Sequence, residues 1–364
     1  MDQPYISVIV TAYNRRKYLP FALRSLEAQT LPRDRFEVIV VKNFEDKESD
    51  NIISRNSWKD LYEDSTYHGR MVLAGLEESR GEVITFLDDD DMYTDNRLEE
   101  VYKAFTSFKR LVYFQNSQTI IDGNGNVLES PPPFSPPISK NLVGGSPIVI
   151  DVDKLQMLAK KYGMSTVDIT HKIRVEADFN NSSVAVRRNI VESHAQLLKR
   201  LPASIDIFTF AASLRAGGLF YFTDKKLTLF RLHGENWGSA LRLKGSKEMH
   251  LKRARALLQE IKAYKLIVSS LLDDDIIKYP CARNLYKGSL LLLPLPELGT
   301  LPPELRLSLP DIKLAFGCYK IGYKSLTDAV FVMGNALLSP LLASPKGRSI
   351  IGRLAEGIRK SLGR

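Results

Sequence analysis

The sequence predicts an α/β fold in which a mostly parallel sheet is flanked by helices and followed by a helical C-terminal extension. Apolar, β-branched runs alternate with amphipathic helical segments over the first third of the chain, which is the order of βαβ units. Four consecutive aspartates, residues 88–91, follow one of the apolar runs directly. Beyond about residue 240, strand-like runs give way to helical patterns and basic residues.

The strand predictions begin with residues 6–12 (ISVIVTA), a continuous apolar run typical of a strand buried on both faces of a parallel sheet. Similar patterns predict strands at 36–41, 82–87, 111–114, 219–222 and 227–232, and helices at 17–28, 66–80, 95–108 and 247–272. The proline-rich stretch 122–147 is interpreted as a long loop, because proline cannot supply ladder hydrogen bonds. Ligands of open α/β sheets bind beyond the carboxyl ends of the strands.

The length of 364 residues fits two or three domains of roughly 100–200 residues each. Residues 241–364 carry 21 Lys+Arg and 10 Asp+Glu, a net charge of +11, whereas residues 1–240 carry 30 and 32, a net charge of −2. We therefore expect an α/β domain over 1–240 and a basic helical extension over 241–364. A basic extension fits anionic partners such as membrane headgroups.

The first four residues contain no charged-then-apolar leader, so we expect no secretory signal and a cytoplasmic location. The two cysteines, Cys281 and Cys318, have no further ligand at metal-binding spacing. They fit buried thiols in a reducing compartment, and a disulfide between them is the alternative. The apolar stretch 326–343 is interrupted by polar residues, which argues against a spanning helix of ~20 apolar residues.

The acidic run 88–91 is the strongest sign of chemistry in the sequence. Carboxylates clustered at a strand end repel one another, and a divalent cation would relieve that repulsion. Hard oxygen ligands suit Mg²⁺ or Mn²⁺, which could bridge the phosphates of a nucleotide sugar and stabilise the leaving diphosphate. The alternative is a solvated acidic turn that caps the next helix.

Three sequence blocks resemble the family 2 glycosyltransferases, which have the GT-A fold. They are residues 7–14 (SVIVTAYN), residues 25–30 (SLEAQT) and residues 86–91 (FLDDDD), the last preceded by Gly81 and Glu82. Their order and spacing are similar to those of the family's first strand, first helix end and metal-binding DXD motif. The resemblance implies that Thr11 and Tyr13 contact the nucleoside.

The same resemblance implies roles for the aspartates of the acidic run. Asp88 would face the ribose or the metal, and Asp90 would ligate the metal. Because the run contains four aspartates, the motif can be aligned to it in two ways that differ by one residue. Asp89 and Asp91 would take these roles in the other alignment, and Asp89 is grouped with the residues that bind the nucleotide sugar.

The second half of the chain resembles the family more weakly. Asp206 lies where the family's acceptor motif has its second acid, and a carboxylate there could accept the proton of the acceptor hydroxyl. His233 would be a further metal ligand or would contact the diphosphate, although a lone histidine is more often structural. Ile205 replaces the first acid of the acceptor motif.

Two departures from the family pattern concern the donor. Lys42 and Asn43 stand in place of the usual pair of aspartates after the second strand, so Asn43 is the candidate for a hydrogen bond to the base. Val72 and Leu73 stand in place of an Arg-Asn pair before the metal strand, so Arg70 is the candidate for the diphosphate. The identity of the base and sugar therefore stays open.

The resemblance implies an enzyme that transfers a sugar from a nucleotide-diphosphate donor to an acceptor hydroxyl on a glycan or lipid-linked acceptor. The reaction would invert the anomeric centre and use Mn²⁺ or Mg²⁺. One alternative is a catalytically silent protein that binds nucleotide sugars or membranes. The other is a nucleotidyltransferase, which would usually have a glycine-rich loop after the first strand, and residues 11–16 contain no glycine.

The last segment, 346–364, predicts an amphipathic helix with Ile350 on an apolar face and Arg348 on a basic one. Such a helix suits the headgroup layer of an anionic membrane. The alternative is a helix packed on the protein's own core with a solvated basic face. We expect no nucleic-acid partner, because no basic groove interleaved with aromatic residues or known nucleic-acid motif is present.

Overall fold

The computed structural model describes residues 3–128, 147–161, 163, 165, 166, 169, 170, 173, 180–233, 247–271, 309, 312, 313, 316, 333, 341, 344–350 and 353. The chain forms two compact units, Met1–His233 and Gly234–Arg364. The domain boundary predicted near residue 240 lies outside the described residues and stays a prediction.

The first half of the sheet in the first unit is parallel. Its strands are β1 (Ile6–Ala12), β2 (Phe36–Lys42), β3 (Lys59–Tyr62) and β4 (Val83–Asp88), and its helices are α1 (Leu19–Glu27), α2 (Lys47–Arg55) and α3 (His68–Glu78). The strands lie in the order β3-β2-β1-β4, and each neighbouring pair is parallel. Because all four strands run the same way, their carboxyl ends meet at one edge.

The second half of the sheet is mixed. Its strands are β5 (Met92–Tyr93), β6 (Leu111–Ile121), β7 (Ile148–Asp151), β8 (Val184–Arg187) and β9 (Leu219–Arg231), and its helices are α4 (Arg97–Ser107), α5 (Leu155–Lys161), α6 (Arg188–Glu192), α7 (Ala195–Leu198) and α8 (Ile205–Ala216). Strand β8 lies antiparallel between β4 and β6, and β9 runs parallel to β6. Strands β5 and β7 pair antiparallel with β9 and complete the nine-stranded sheet that the described residues form.

Helices cover both faces of the sheet, as the predicted α/β class requires. On one face, α1, α2 and α4 pack with alternate residues of β1, such as Val8 and Val10. On the other face, α3 approaches β1 so closely that a Cβ atom on Gly75 would lie 2.6 Å from Cγ2 of Ile9. Burial on both faces accounts for the unbroken apolar run of β1. The predicted α/β fold class is confirmed.

The structure corrects several element predictions in the mixed half. The two short strands predicted at 219–222 and 227–232 are one strand, β9, whose pairing with β6 is irregular near Ser117. Polar residues 223–226 mimic a turn in the sequence, but they continue the strand through this irregularity. Strand β6 also extends to Ile121, beyond the predicted end at residue 114.

The second unit contains a long helix, α9 (Lys247–Leu271), at the position predicted for a helix. Its buried residues include Ile261, Tyr264 and Val268, which recur at helical spacing along one face. The last helix was predicted to have Ile350 on an apolar face and Arg348 on a basic, solvated or headgroup-facing one. The structure shows the opposite at these two positions, since Arg348 is fully buried and Ile350 is 41% exposed. At these positions an arginine is therefore buried and an isoleucine faces solvent.

Among the residues that the structure describes, no helix is both long enough and apolar enough to cross a membrane. Cys281, Cys318 and nearly all of the apolar stretch 326–343 lie outside the described residues.

Candidate active site

The acidic run begins at the carboxyl end of β4, next to the end of β1. The parallel register pairs Thr11 of β1 with Asp88 of β4. Thr11 is buried, and its hydroxyl lies 3.0 Å from Nε2 of His68, the first residue of α3. The same imidazole nitrogen is 3.8 Å from Oδ1 of Asp88. Two strand ends and one helix start therefore place a hydroxyl, an imidazole and a carboxylate together.

The start of α3 is held in place by an unusually close backbone contact. The N–H groups of His68 and Gly69 donate to the carbonyls of Pro202 and Leu201, at 3.3 and 3.0 Å. A Cβ atom on Gly69 would lie only 1.9 Å from the carbonyl oxygen of Leu198. Only glycine allows this approach, which positions His68 beside Thr11.

Arg15, in the loop after β1, forms ion pairs with the middle of the acidic run. Its Nε donates to Oδ2 of Asp89 at 3.2 Å, and Nη2 donates to the other oxygen of that carboxylate. Its third nitrogen, Nη1, donates to Oδ2 of Asp90 at 2.6 Å. Burial opposes the charge of Arg15, but the two carboxylates outweigh this and raise the pKa of its guanidinium above the ordinary value.

Asp90 is shared between Arg15 and His233, which lies just after β9. Nε2 of His233 is 3.0 Å from Oδ2 of Asp90, and both side chains are nearly buried. Burial alone would raise the pKa of Asp90, but the hydrogen bond from His233 and the charge of Arg15 lower it below the ordinary value. Asp90 and His233, the two predicted metal ligands, are therefore in contact.

Asp91 has a different environment from its neighbours. Its carboxylate accepts the backbone N–H of Arg231 at 3.0 Å and the amide Nδ2 of Asn180 at 3.0 Å. Burial and the charges of Asp90 and Asp88 raise its pKa well above the ordinary value. These contacts fasten the acidic run to β9 and to the turn before β8, which favours a structural role for Asp91 over the substitute role in the sequence prediction.

The turn before β8 holds Asp88 from the other side. Asn181 Nδ2 donates to Oδ1 of Asp88 at 3.3 Å, and the backbone N–H of Asp88 donates to Oγ of Ser182 at 3.0 Å. Asn181 Oδ1 is buried and accepts no hydrogen bond. An unused acceptor beside a strand-end carboxylate suits a ligand that brings its own hydroxyl.

Asp206, the predicted base, lies in the first turn of α8 and is half-buried. Burial and the charge of Asp88 raise its pKa above the ordinary value, and the charge of His68 opposes the shift. The preceding Ser204 has φ of 61°, in the left-handed region that residues other than glycine rarely adopt. Ser204 directly precedes α8, so this left-handed residue begins the helix that carries Asp206.

The remaining predicted donor contacts lie at the same edge but make different contacts. Asn43 follows β2, and its Nδ2 donates to Oδ1 of Asn14 at 3.0 Å while its own Oδ1 accepts the N–H of Asn14 at 2.8 Å. Tyr13 is half-buried in the loop after β1, and Arg70 is exposed in the first turn of α3. In this structure Asn43 therefore holds the loop after β1.

Among the described residues, no three His, Cys, Asp or Glu side chains are grouped to hold a metal by themselves. A divalent cation that binds a nucleotide takes one or two carboxylates from the protein and fills its other positions with phosphate oxygens and water. Asp90 and His233 offer one oxygen and one nitrogen ligand in contact, which suits Mn²⁺. The donor set therefore fits a metal completed by its substrate.

The sequence missed the residues that surround the carboxylates: Arg15, His68, Asn180, Asn181 and Ser182. In α/β folds, a polar residue just after a strand or at the start of the following helix is a signal of a ligand-binding residue. Arg15 and His68 occupy such positions. The asparagines carry no comparable signal, because they precede a strand that the sequence did not predict.

The sheet and its helices have the arrangement of the GT-A fold. The structure aligns with the crystal structure of Staphylococcus aureus TarS 1–349 in complex with UDP-GlcNAc at a TM-score of 0.54 and 15% sequence identity, covering 99% of this chain and 92% of that chain. At this identity the likeness concerns the fold.

The chain also matches a family by sequence. Over residues 7–162 it matches the family described as glycosyl transferase family 2. It is 28% identical over 143 residues to a protein of Nostoc sp. named as an uncharacterized glycosyltransferase, covering 38% of this chain and 44% of the relative. A similarly named protein of Methanocaldococcus jannaschii is 30% identical over 136 residues, covering 35% and 47%. The chain thus spans less than half the length of these relatives.

Proposed function

We propose that the chain is a glycosyltransferase that moves a sugar from a nucleotide-diphosphate donor to an acceptor hydroxyl with inversion. The observation that carries the proposal is the cluster of carboxylates at the end of β4, where the charge of Asp88 acts on Asp206 in the first turn of α8. The raised pKa of Asp206 fits a base that takes a proton during the reaction. The match to glycosyl transferase family 2 over residues 7–162 supports the same class of reaction.

The roles of the residues follow from their positions. The acceptor oxygen bonds to the anomeric carbon as the bond from that carbon to the diphosphate breaks, and Asp206 accepts the hydroxyl proton. Thr11 and Tyr13 lie at the end of β1, where the nucleoside would bind beside Asp88. Asn43 and the exposed Arg70 are the proposed contacts to the base and the diphosphate.

Asp90 and His233 are the proposed protein ligands of Mn²⁺ or Mg²⁺. When bound, the metal would offset negative charge on the departing diphosphate. The chain itself contributes a fixed position for Asp90, because this side chain is nearly buried and His233 contacts its Oδ2. Asp89 pairs with Arg15, whose guanidinium also contacts Asp90.

The acceptor is proposed to be a glycan or a lipid-linked molecule, reached at the cytoplasmic face of an anionic membrane. The support for this location is the net charge of +11 over residues 241–364. The exposed Ile350 and buried Arg348 favour an electrostatic contact of the whole unit over insertion of a segregated amphipathic helix. Cosedimentation with anionic vesicles, but not with zwitterionic vesicles, is the expected result.

The experiment that tests the function is release of nucleoside diphosphate from a panel of UDP-, GDP- and dTDP-sugars with Mn²⁺ or Mg²⁺. UDP-sugars come first, because TarS, which shares the fold, was crystallised with UDP-GlcNAc. Reactions run with and without a lipid-phosphate or glycan acceptor extract, and NMR of the product reports the anomeric configuration. Asp224→Asn, at an exposed position of β9, is the matched control for Asp206→Asn.

The outcomes separate the proposal from its alternatives. Release from one donor that requires metal and Asp206 supports an inverting transferase, provided the product has the opposite configuration. Donor binding without turnover under every acceptor condition supports a silent nucleotide-sugar-binding protein. The absence of binding to every donor contradicts the proposal.

A further inference from the structure

The guanidinium of Arg15 occupies a position that the proposed function would give to a cation. It contacts both oxygens of Asp89 through Nε and Nη2, and it reaches Oδ2 of Asp90 through Nη1 at 2.6 Å. Planar, two-point pairing of this kind is the strong mode of arginine–carboxylate binding. The positive charge is therefore already present where the acidic run needs one.

The oxygen at issue is Oδ2 of Asp90. Besides Arg15, Nε2 of His233 lies 3.0 Å from the same atom. A divalent cation bound to this oxygen beside His233 would lie against the positively charged guanidinium, so the two cations repel each other and oppose each other's binding there. His233 is itself a proposed ligand and would stay, so Arg15 is the group that has to move.

The surroundings of Arg15 allow such a movement. Its side chain is 26% exposed, whereas those of Asp89 and Asp90 are 1% and 9% exposed. It extends from the loop after β1, where the preceding Asn14 adopts φ of 57°. The carboxylates are thus fixed inside the protein, and their cationic partner lies on the solvent side of them.

We propose that Arg15 competes with the divalent metal for Asp90, so that metal binding requires the guanidinium to leave Oδ2 of that residue. The inference rests on the proposed function, since it assigns Asp90 to the metal. It makes Arg15 a positioning residue that keeps the acidic run neutralised when no metal is bound. As a consequence, wild type should bind free Mn²⁺ weakly, and the loss of Arg15 should raise its affinity for Mn²⁺.

The test measures Mn²⁺ binding to the full chain by electron paramagnetic resonance of the free ion, without donor or acceptor. Arg15→Gln is expected to bind Mn²⁺ about tenfold more tightly than wild type, because one charge-assisted contact no longer opposes the metal. Arg15→Lys keeps the positive charge but loses the planar two-point pairing, so a smaller gain is expected.

Arg16→Gln is the matched control for the effect of net charge. Arg16 is the exposed neighbour of Arg15, and its Nε donates to the carbonyl of Glu45 at 3.1 Å. Removing its charge should leave Mn²⁺ affinity within about twofold of wild type, since exposed charges are screened. An equal gain in the Arg15→Gln and Arg16→Gln variants would overturn the proposal in favour of a general electrostatic effect.

Circular dichroism melting of each variant checks that the fold is retained. If Arg15→Gln fails to fold, Arg15→Lys is measured in its place. Tighter Mn²⁺ binding by Arg15→Lys than by wild type then supports competition between Arg15 and the metal. Equal Mn²⁺ affinity of wild type and the folded Arg15 variants overturns this inference but leaves the proposed metal site standing. If neither wild type nor any variant binds Mn²⁺, with or without UDP, both the inference and the metal in the proposed function fail.

Discussion

The parallel and mixed halves of the sheet contribute different parts of the site. The parallel half, β1 to β4, supplies Thr11, Arg15 and the acidic run 88–91. The mixed half and its adjoining turns supply the groups that hold the run and the proposed base, among them Asn180 and Asp206. One half thus presents the charge, and the other orients it and adds the proposed proton acceptor.

The difference predicts that donor binding and proton transfer can be separated by mutation. A change in the parallel half should affect donor and metal. A change in the mixed half, apart from the proposed metal ligand His233, should affect turnover or the stability of the site.

The largest effect is expected for Asp206→Asn in the mixed half. Loss of the proposed base should lower kcat by about 10³-fold, within the range that a general base contributes. The donor KM should stay within a few-fold of wild type, since Asp206 is assigned to the acceptor side. Steady-state kinetics on the active donor measure both values.

The matched control, Asp224→Asn, should keep wild-type kinetics. An Asp206→Asn variant that loses donor affinity as strongly as Asp90→Asn would break the division between the two halves.

The next effect concerns stability. Asn180→Ala removes the amide that donates to the buried Asp91 at 3.0 Å and leaves that carboxyl with fewer partners. We expect the free energy of unfolding to fall by about 3 kcal/mol, as for a buried charged group that loses a hydrogen bond. Urea unfolding followed by circular dichroism measures the change.

Asn126→Ala is the control for Asn180→Ala. Asn126 donates to Asp122 at a similar 3.1 Å, but this pair is exposed, so we expect a loss below about 0.5 kcal/mol. Equal losses in the two variants would show that the contact to Asp91 has no special importance.

A smaller loss is expected where the two halves meet at the start of α3. Gly69→Ala places a Cβ atom against the carbonyl of Leu198, so α3 must shift, at a cost of about 2 kcal/mol. Gly123→Ala, whose Cβ atom would lie 3.4 Å from the Tyr18 hydroxyl, should be nearly neutral. Thermal unfolding of both variants tests the comparison, and equal melting temperatures would contradict the close approach.

The smallest effect is a shift in pH dependence. Asp206 must be deprotonated to accept a proton, and burial raises its pKa above the ordinary value. Activity should therefore fall as pH decreases through a value higher than that of an ordinary aspartate. Since the charge of His68 lowers this pKa, His68→Gln should move the acid limb of the kcat–pH profile to higher pH. An acid limb that stays in place would show that His68 does not influence the pKa of Asp206.

The sequence predicted β1, β2, β4, α1 and α3 of the parallel half because their signals are local, but it missed α2 and β3. The apolar run 6–12 and the acidic run 88–91 each reveal a buried strand or its end without reference to the rest of the chain. The contact of Arg15 with Asp89 joins residues 74 positions apart, and no local pattern reports it. Local patterns alone predicted the charges but missed their partners.

The mixed half was harder to predict because its strands do not form simple units. Strand β8 (VAVR) is only four residues long and follows a polar segment. Strand β9 continues through polar residues 223–226 that look like a turn. Asp206 and His233 were found through family resemblance, and the contact of His233 with Asp90 agrees with that placement.

The most direct test of the division between the halves is a calorimetric titration with saturating Mn²⁺. The nucleoside diphosphate of the active donor is titrated into wild type, Asp90→Asn and Asp206→Asn. We expect wild type and Asp206→Asn to bind this nucleotide with the same affinity, while Asp90→Asn loses at least about tenfold. Turnover should be lost in both variants. Equal nucleotide affinity in all three proteins would contradict the assignment of the acidic run to the metal and the diphosphate.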